Sequence, residues 1–466
     1  MTDGLNRSVA RTLAGISETL KEPVIRLGVT GLSRAGKTVF ITGLVANLLD
    51  RGRMPQLRAA ADGRIEAVFL QPQPDDTLPR FDYEGHLAAL TGDNPRWPAS
   101  TRAISELRLS FRVRPSGWLG GFRGPRSLHL DIVDYPGEWL LDLALLGKSY
   151  AQWTEDTLSR LSRRPEAQEF MATARAEDGS LRLDEARAQA LAASFTGYLA
   201  AARAKGWSDC TPGRFLLPGD LAGSPVLTFA PLPAPAATPR HCLWREMERR
   251  YEAYKSRVVK PFFRDHFARI DRQVVLVDAL GAIHAGPQAL EDLRATMAEI
   301  LTAFRPGRNG FIAGLLRGKR VERILFAATK ADHLHHSQHA ALTAIMQAMT
   351  RAASDRAAFA GAEVAAMSLA SLRATVEETV LRDGIGLDCV RGRLLATGKQ
   401  VVMYPGELPL DPARLLAPAR EGAQRWLDAE FSLMSFAPAR ISLKPGIGPP
   451  HIRLDRAAEF LIGDQL

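Results

Sequence analysis

Eight consecutive residues, Gly31-Leu32-Ser33-Arg34-Ala35-Gly36-Lys37-Thr38, follow the spacing G-x-x-x-x-G-K-[ST]. Gly31 and Gly36 permit a loop whose successive N–H groups point inward. The start of the helix that follows adds partial positive charge, so the stretch from Gly31 through Ser33, Arg34 and Ala35 to Val39 suits a phosphate chain. Lys37 can reach the β- and γ-phosphate oxygens, and the Thr38 hydroxyl can ligate Mg²⁺. A second element is the apolar run Leu130-Asp131-Ile132-Val133-Asp134, continued by Tyr135-Pro136-Gly137. Asp134 falls at the end of that run, where it can hold Mg²⁺ or its water, and the Gly137 N–H is placed to meet a γ-phosphate. Asp131 is the alternative acid, but pleat alternation turns it to the opposite face, away from the strand end. A third element is Thr329-Lys330-Ala331-Asp332, directly after the run RILFAA. A carboxylate at Asp332 can accept hydrogen bonds from N1–H and the 2-amino group of guanine. Adenine offers neither donor, so the wrong base leaves a buried charge unpaired. The Lys330 stem can pack on the base plane.

These groups need a frame. Val24 to Thr30 (VIRLGVT) is a short β-branched run, and Thr38 to Leu49 has helical spacing closed by Arg51-Gly52. Leu107 to Val113 (LRLSFRV) alternates apolar and polar, as an edge strand does. The glycine-rich stretch from Pro115 to Pro125 reads as a hairpin turn, and Ser127 to Val133 (SLHLDIV) as the returning strand. Gln273 to Val277, Arg323 to Ala328 and Glu363 to Leu369 are further strand candidates, mostly followed by helical patterns. Such alternation predicts an α/β fold: a mostly parallel sheet with helices on both faces. Two intervals exceed a minimal unit, 52–104 and 141–272. The second opens rich in alanine, leucine, arginine and glutamate, which predicts helix. It then carries Pro212, Pro218, Pro225, Pro231, Pro233, Pro235 and Pro239, which predict an extended connector crossing the surface, before a long helix from about Leu243 to Lys260. The expected organisation is an N-terminal segment 1–22 and a first core part 23–140 with the insertion 52–104. An inserted, mainly helical domain 141–272 follows, then a second core part 273–380 with the base-recognition loops, and a C-terminal segment 381–466 packing on the core.

In this order the three elements resemble the Ras-like GTPase superfamily of P-loop NTPases. The wording GLSRAGKT, DYPGEW and TKAD, with Arg96-Trp97-Pro98, Thr101 and the C-terminal PHIRLD, is similar to the YcjX-type family of bacterial P-loop proteins. The resemblance covers most of the chain. It implies a Ras-like core with a helical insertion, GTP or GDP as ligand, Mg²⁺ as cofactor, and membership of a stress-associated group. It also implies a base-contacting loop at Ala370-Ser371-Leu372. The chain departs from the common pattern in three places. Glu138 stands where many GTPases carry a water-orienting glutamine; ionised, it accepts hydrogen bonds but cannot donate them. Thr329 replaces the asparagine of the base-reading motif, which weakens the contact that braces the loop. Arg34 lies inside the phosphate loop, as in the guanylate-binding proteins; it either stabilises the transferring phosphoryl group in cis or faces solvent or a carboxylate. A hydroxyl completing the Mg²⁺ shell is expected before the second strand, at Thr101, with Ser100 and Ser105 competing. Lys37, Arg34 and Glu138 are the catalytic candidates of a slow GTPase switch; the alternatives are a membrane-associated interaction protein that keeps the nucleotide as a structural ligand, and an ATPase.

The composition is permissive. Over 466 residues, 46% are hydrophobic and 24% charged, which excludes wholesale disorder. No run of apolar residues is long enough for a spanning helix, and the first 25 residues lack the apolar centre of a secretory signal. Cys210, Cys242 and Cys389 are widely spaced, which argues against a disulfide framework and for a reducing compartment. A cytoplasmic place is expected, with peripheral attachment to the inner face of a membrane as a variant of it. Sixty basic against fifty-one acidic side chains give a net charge of +9, which favours anionic partners without choosing among them, and no nucleic-acid signature accompanies it. His333, His335, His336 and His339 crowd together, and His335 with His339 could share a metal; with no acid or cysteine nearby in sequence they read as a solvated helix start. Val258, Val259, Phe262, Phe263, Phe267 and Ile270 form an apolar stripe flanked by basic residues, read as core-facing with an anionic membrane as the alternative. Trp118, Phe122 and Arg123 read as an ordinary hairpin tip that could touch a partner.

Overall fold

A computed structural model describes residues 22–32, 35–99, 103–115, 124–302, 321–359, 361–426 and 430–466. The sheet strands are β1 (Val24–Gly31), β2 (Ile65–Gln71), β3 (Ser105–Val113), β4 (Arg126–Asp134), β5 (Arg272–Val277), β6 (Arg323–Ala328) and β7 (Glu363–Ser368). They run in the order β2-β3-β4-β1-β5-β6-β7. From β4 through β7 all neighbours are parallel, whereas β2–β3 and β3–β4 are antiparallel. The inner parallel strands are buried on both faces and therefore read as nearly unbroken apolar runs; β5 has no exposed residue. Alternation sorts their side chains between two cores. Val274 and Leu276 join the core that holds helices Lys37–Leu49 and Leu454–Ile462. Val275 and Val277 join the other, shared with helices Pro287–Thr302 and His339–Phe359 and with the interval 141–271. This is the expected α/β architecture with helices on both faces.

Three expectations need correction. First, Leu107–Val113 is not an edge: β3 lies inside the sheet, and the edge is β2, from the interval 52–104. The apparent alternation arises because Arg108 points a charged side chain at buried Asp131, with hydrogen bonds of 2.6 and 2.8 Å, rather than at water.

Second, the proline-rich stretch follows the surface over most of its length, as expected, but residues 229–232 leave it and enter the core. Phe229, Ala230 and Leu232 are fully buried, and Phe229 sits edge-on to Trp153 at 5.6 Å. Prolines keep the chain extended but leave its other backbone groups in need of partners. Tyr150 supplies them: its Oη donates to the Ala230 carbonyl at 2.7 Å and accepts from the Leu232 N–H at 3.2 Å.

Third, the helix that opens at Leu243 does not end at Lys260. It runs Leu243–Tyr254, passes through a π-turn at Lys255–Val259 and resumes over Lys260–Asp265. The wide turn accommodates Pro261, whose ring would clash in a regular helix. The stripe on this segment faces inward: Val258, Val259, Phe262, Phe263, Phe267 and Ile270 are all buried, so it cannot lie on a membrane. Among the described residues no helix is long and apolar enough to cross one.

After β7 come three further strands, β8 (Thr375–Arg382), β9 (Ile385–Arg393) and β10 (Gln400–Met403), in a separate antiparallel sheet. No periodicity in the sequence singled them out. The hairpin tip residues Trp118, Phe122 and Arg123 lie outside the described residues.

Candidate functional site

The phosphate-type loop turns between β1 and helix Lys37–Leu49. Gly36 caps that helix with φ 79°, a left-handed conformation that favours glycine. The Lys37 ammonium is buried; Nζ lies 2.5 Å from Asp134 Oδ1 and donates to the Tyr135 carbonyl at 2.8 Å. Burial lowers its pKa, while Asp134 and then Glu138 oppose the shift. The two motifs therefore meet through one ion pair. They also meet backbone to backbone: a Cβ on Gly137 would stand 1.8 Å from the Gly31 carbonyl oxygen, so this position admits only glycine. Asp131 is taken up by Arg108 and Arg26, whereas Asp134 ends β4 beside the loop. Thr38 and Asp134 present a hydroxyl and a carboxylate, the hard oxygen donors that suit Mg²⁺.

Glu138 is buried, and its Oε1 lies 2.7 Å from Arg203 Nη2. Arg203 comes from the last turn of helix Glu185–Lys205, inside the interval 141–272. A Cβ on Gly213, from the same interval, would stand 2.1 Å from the Glu138 carbonyl oxygen. The inserted helices thus press directly on the residue that follows D-x-x-G.

The third motif follows β6. Thr329 uses its N–H and its hydroxyl on the Val277 carbonyl, at 2.9 and 3.3 Å, tying β6 to β5. Lys330 adopts φ 60° and pairs with Asp278. Asp332 is buried; its Oδ2 accepts from the Ala374 N–H at 2.8 Å, and its carbonyl accepts from the Thr375 hydroxyl. Ser371 and Leu372 line the same cavity, and a Cβ on Gly43 would stand 2.5 Å from the Ser371 carbonyl oxygen.

One cavity of about 520 Å³ joins these parts. Gly31, Ala35, Gly36, Lys37, Thr38, Val39, Gly137, Glu138, Thr329, Lys330, Asp332, Ser371 and Leu372 all line it. Asp134 sits immediately behind, on Lys37. Ser33, Arg34, Thr101 and Ser100 lie outside the described residues. Ser105 begins β3 directly opposite Asp134.

The sequence did not point to three lining groups. Arg203 carries no motif. Leu433, Met434 and Phe436 form a wall from the C-terminal segment, and the Trp97 indole N–H closes it by donating to the Phe436 carbonyl at 2.7 Å. His333 also lines the cavity, its pKa lowered chiefly by burial.

Comparison with known proteins agrees with this arrangement. Residues 25–466 match the model of the YcjX-like family, DUF463. The chain is 38% identical over 456 residues to the Ras-like GTPase YcjX of Escherichia coli (strain K12), covering 95% of this chain and 96% of that protein. It is 36% identical over 468 residues to the Ras-like GTPase YcjX of Shewanella oneidensis, covering 95% and 94%. With its glycine-rich loop, its mostly parallel sheet and near full-length similarity to these relatives, this chain belongs to the YcjX-like family and has a Ras-like α/β fold.

Proposed function

We infer that the protein binds guanine nucleotides with Mg²⁺ and hydrolyses GTP slowly, as a molecular switch. The relatives' name, Ras-like GTPase, supports the nucleotide and the reaction. One observation carries the reading: the Asp332 carboxylate, buried and anchored through one oxygen, lines the same cavity as Lys37 and Thr38. A cavity lined by both suits a base against Asp332 and a polyphosphate against Lys37 and Thr38. In this reading Asp332 accepts from guanine N1–H and the 2-amino group while the Lys330 stem covers the ring. Gly31 to Val39, with Ser33, Arg34 and Ala35, wrap the phosphates. Mg²⁺, held by Thr38, Asp134 and a hydroxyl at Thr101, would neutralise phosphate charge. Lys37 draws charge from the transferring phosphoryl group, and Arg34 is the candidate that adds to this in cis. The Gly137 N–H meets the γ-phosphate. Glu138 would orient the attacking water once released from Arg203. Ser371 and Leu372 back the base.

Binding of GTP, GDP and ATP to wild type and to Asp332→Ala tests the base assignment. Wild type should prefer both guanine nucleotides over ATP, and the variant should lose most of that preference. Equal wild-type affinity for ATP overturns the reading and favours an ATPase.

A second reading has its own support. The Glu138 carboxylate is already engaged by Arg203, which suits a structural nucleotide with negligible turnover in a protein docked on a membrane or a protein partner. Single-turnover assays with and without anionic liposomes separate the two: phosphate release in either condition favours the switch. As parts of the proposal, the interval 141–272 is the reporting unit, segments 23–140 and 273–380 form the nucleotide core, and 381–466 packs on it. The role in stress and the cytoplasmic place, free or at the inner membrane face, complete it.

A further inference from the structure

His335 and His336 leave the Asp332 turn side by side, with ring centroids 4.2 Å apart. Strand β8 brings Glu377 to both. Its Oε2 lies 2.6 Å from His336 Nδ1 and 3.7 Å from His335 Nε2, and the ligand atoms of the three residues all lie within 4.8 Å of one another. Strand β9 adds Asp388, whose Oδ2 lies 3.2 Å from His335 Nδ1 and accepts from the Ser337 hydroxyl at 2.8 Å. Arg373 Nη2 donates to the other Glu377 oxygen at 3.1 Å. His339, which the spacing in sequence had paired with His335, points elsewhere: it is buried with Nε2 on the Ala331 carbonyl at 2.8 Å. The acid missing near the histidines in sequence arrives from another strand.

The donor set is specific. At 3.7 Å, His335 Nε2 makes no hydrogen bond to Glu377, although both histidines converge on the same carboxylate oxygen. Ligand atoms around a tetrahedral zinc ion stand about 3.3 Å apart, because each bond is about 2.0–2.2 Å. The two separations from Glu377 Oε2 bracket that value, and the third, between the histidine nitrogens, lies within 4.8 Å; a metal would replace the hydrogen bond that now joins His336 Nδ1 to Glu377. His335 Nδ1 accepts from the Ser337 N–H at 3.4 Å; metal binding at Nε2 would move the ring proton to Nδ1, which lies 3.2 Å from Asp388 Oδ2. This carboxylate–imidazole arrangement is the usual outer support of a metal-bound histidine. Arg373 holds Glu377 in the same way.

We propose that His335 Nε2, His336 Nδ1 and Glu377 Oε2 form a zinc site whose fourth position is taken by water, with Asp388 and Arg373 as its outer supports. The site bridges the segment after Asp332 to β8, close to where Ala374 and Thr375 hold Asp332.

The test uses the full-length, chelator-stripped protein without nucleotide, so it does not depend on the guanine reading. Zinc is titrated against a chromophoric chelator, and Co²⁺ is added as a spectroscopic probe. One zinc per chain and intense visible Co²⁺ bands of a tetrahedral site are expected. His336→Ala and Glu377→Gln should each weaken zinc binding by about 100-fold or more, and Asp388→Asn by about 10–100-fold. His86→Ala should leave it unchanged. The unfolding midpoints of the metal-free variants confirm that each is folded. Absence of stoichiometric zinc binding, or binding that survives both His336→Ala and Glu377→Gln, overturns the proposal.

Discussion

Asp142 lies four residues past Glu138, fully buried, accepting from the Gly213 N–H at 2.8 Å and the Tyr254 hydroxyl at 2.5 Å. Burial pushes its pKa up to about 7, against the opposing hydrogen bonds. An acid whose pKa rises on folding binds more protons folded than unfolded between its two values. Its contribution is therefore full below the ordinary carboxylate range and is lost as pH rises through about 7. Asparagine removes the charge, keeps one acceptor for the Gly213 N–H, and reverses the other contact, its amide donating to the Tyr254 hydroxyl oxygen. Asp142→Asn should flatten this dependence, so that its stability relative to wild type grows by up to about 1.4 kcal/mol per pH unit toward pH 7. Urea unfolding across pH 5–8 measures the slope; parallel curves for the two proteins would refute the assignment. Gly137 supplies a second residue-scale prediction. A methyl group there must displace the Gly31 carbonyl, opening the two phosphate-facing backbones. Gly137→Ala should lower GTP affinity roughly tenfold or more, a loss of about 1.4 kcal/mol. GDP, which lacks the γ-phosphate proposed to meet this N–H, should lose less, and fluorescent-nucleotide titration separates the two effects.

At the scale of elements, residues 229–232 of the proline-rich connector behave as a short core strand without a sheet. Phe229 touches Trp153, Phe215 and Tyr251 edge-on and has no exposed surface. Phe229→Ala should destabilise the protein by about 3–5 kcal/mol in urea, where a surface connector would lose almost nothing. The ion pair between Arg203 and Glu138 joins helix Glu185–Lys205 to the turn after β4. Arg203→Ala leaves a buried carboxylate without this partner and should cost about 1–3 kcal/mol. Single-turnover hydrolysis by the same variant shows whether releasing Glu138 changes phosphate release.

The whole molecule is tied together across long intervals. Arg164, buried in the inserted helices, pairs with Asp292 on helix Pro287–Thr302, which packs on the sheet. Asp292 also accepts from the Ser208 N–H at 2.6 Å. Asp292→Ala removes the carboxylate paired with Arg164, leaving it the Tyr198 hydroxyl and the Asp209 carbonyl, and should destabilise by about 3–5 kcal/mol, read from chemical unfolding. Asn47 Nδ2 donates to the Pro449 carbonyl at 3.1 Å, 402 residues away, so the far end of the chain steadies the helix that starts at Lys37.

The sequence by itself determined the parts whose chemistry is local. The glycines of the phosphate loop, Asp134 at a strand end, Asp332 after β6 and the parallel strands follow from neighbouring residues, because backbone conformation and pleat alternation act over a few positions. Tertiary structure alone decided the rest. It placed Arg203 on Glu138, brought Glu377 to His335 and His336, buried Phe229 inside its proline-rich segment, moved the sheet edge to β2, and set Phe436 against Trp97 across 339 residues. These contacts join distant segments through burial and charge pairing, and no periodicity within any one segment encodes its partner.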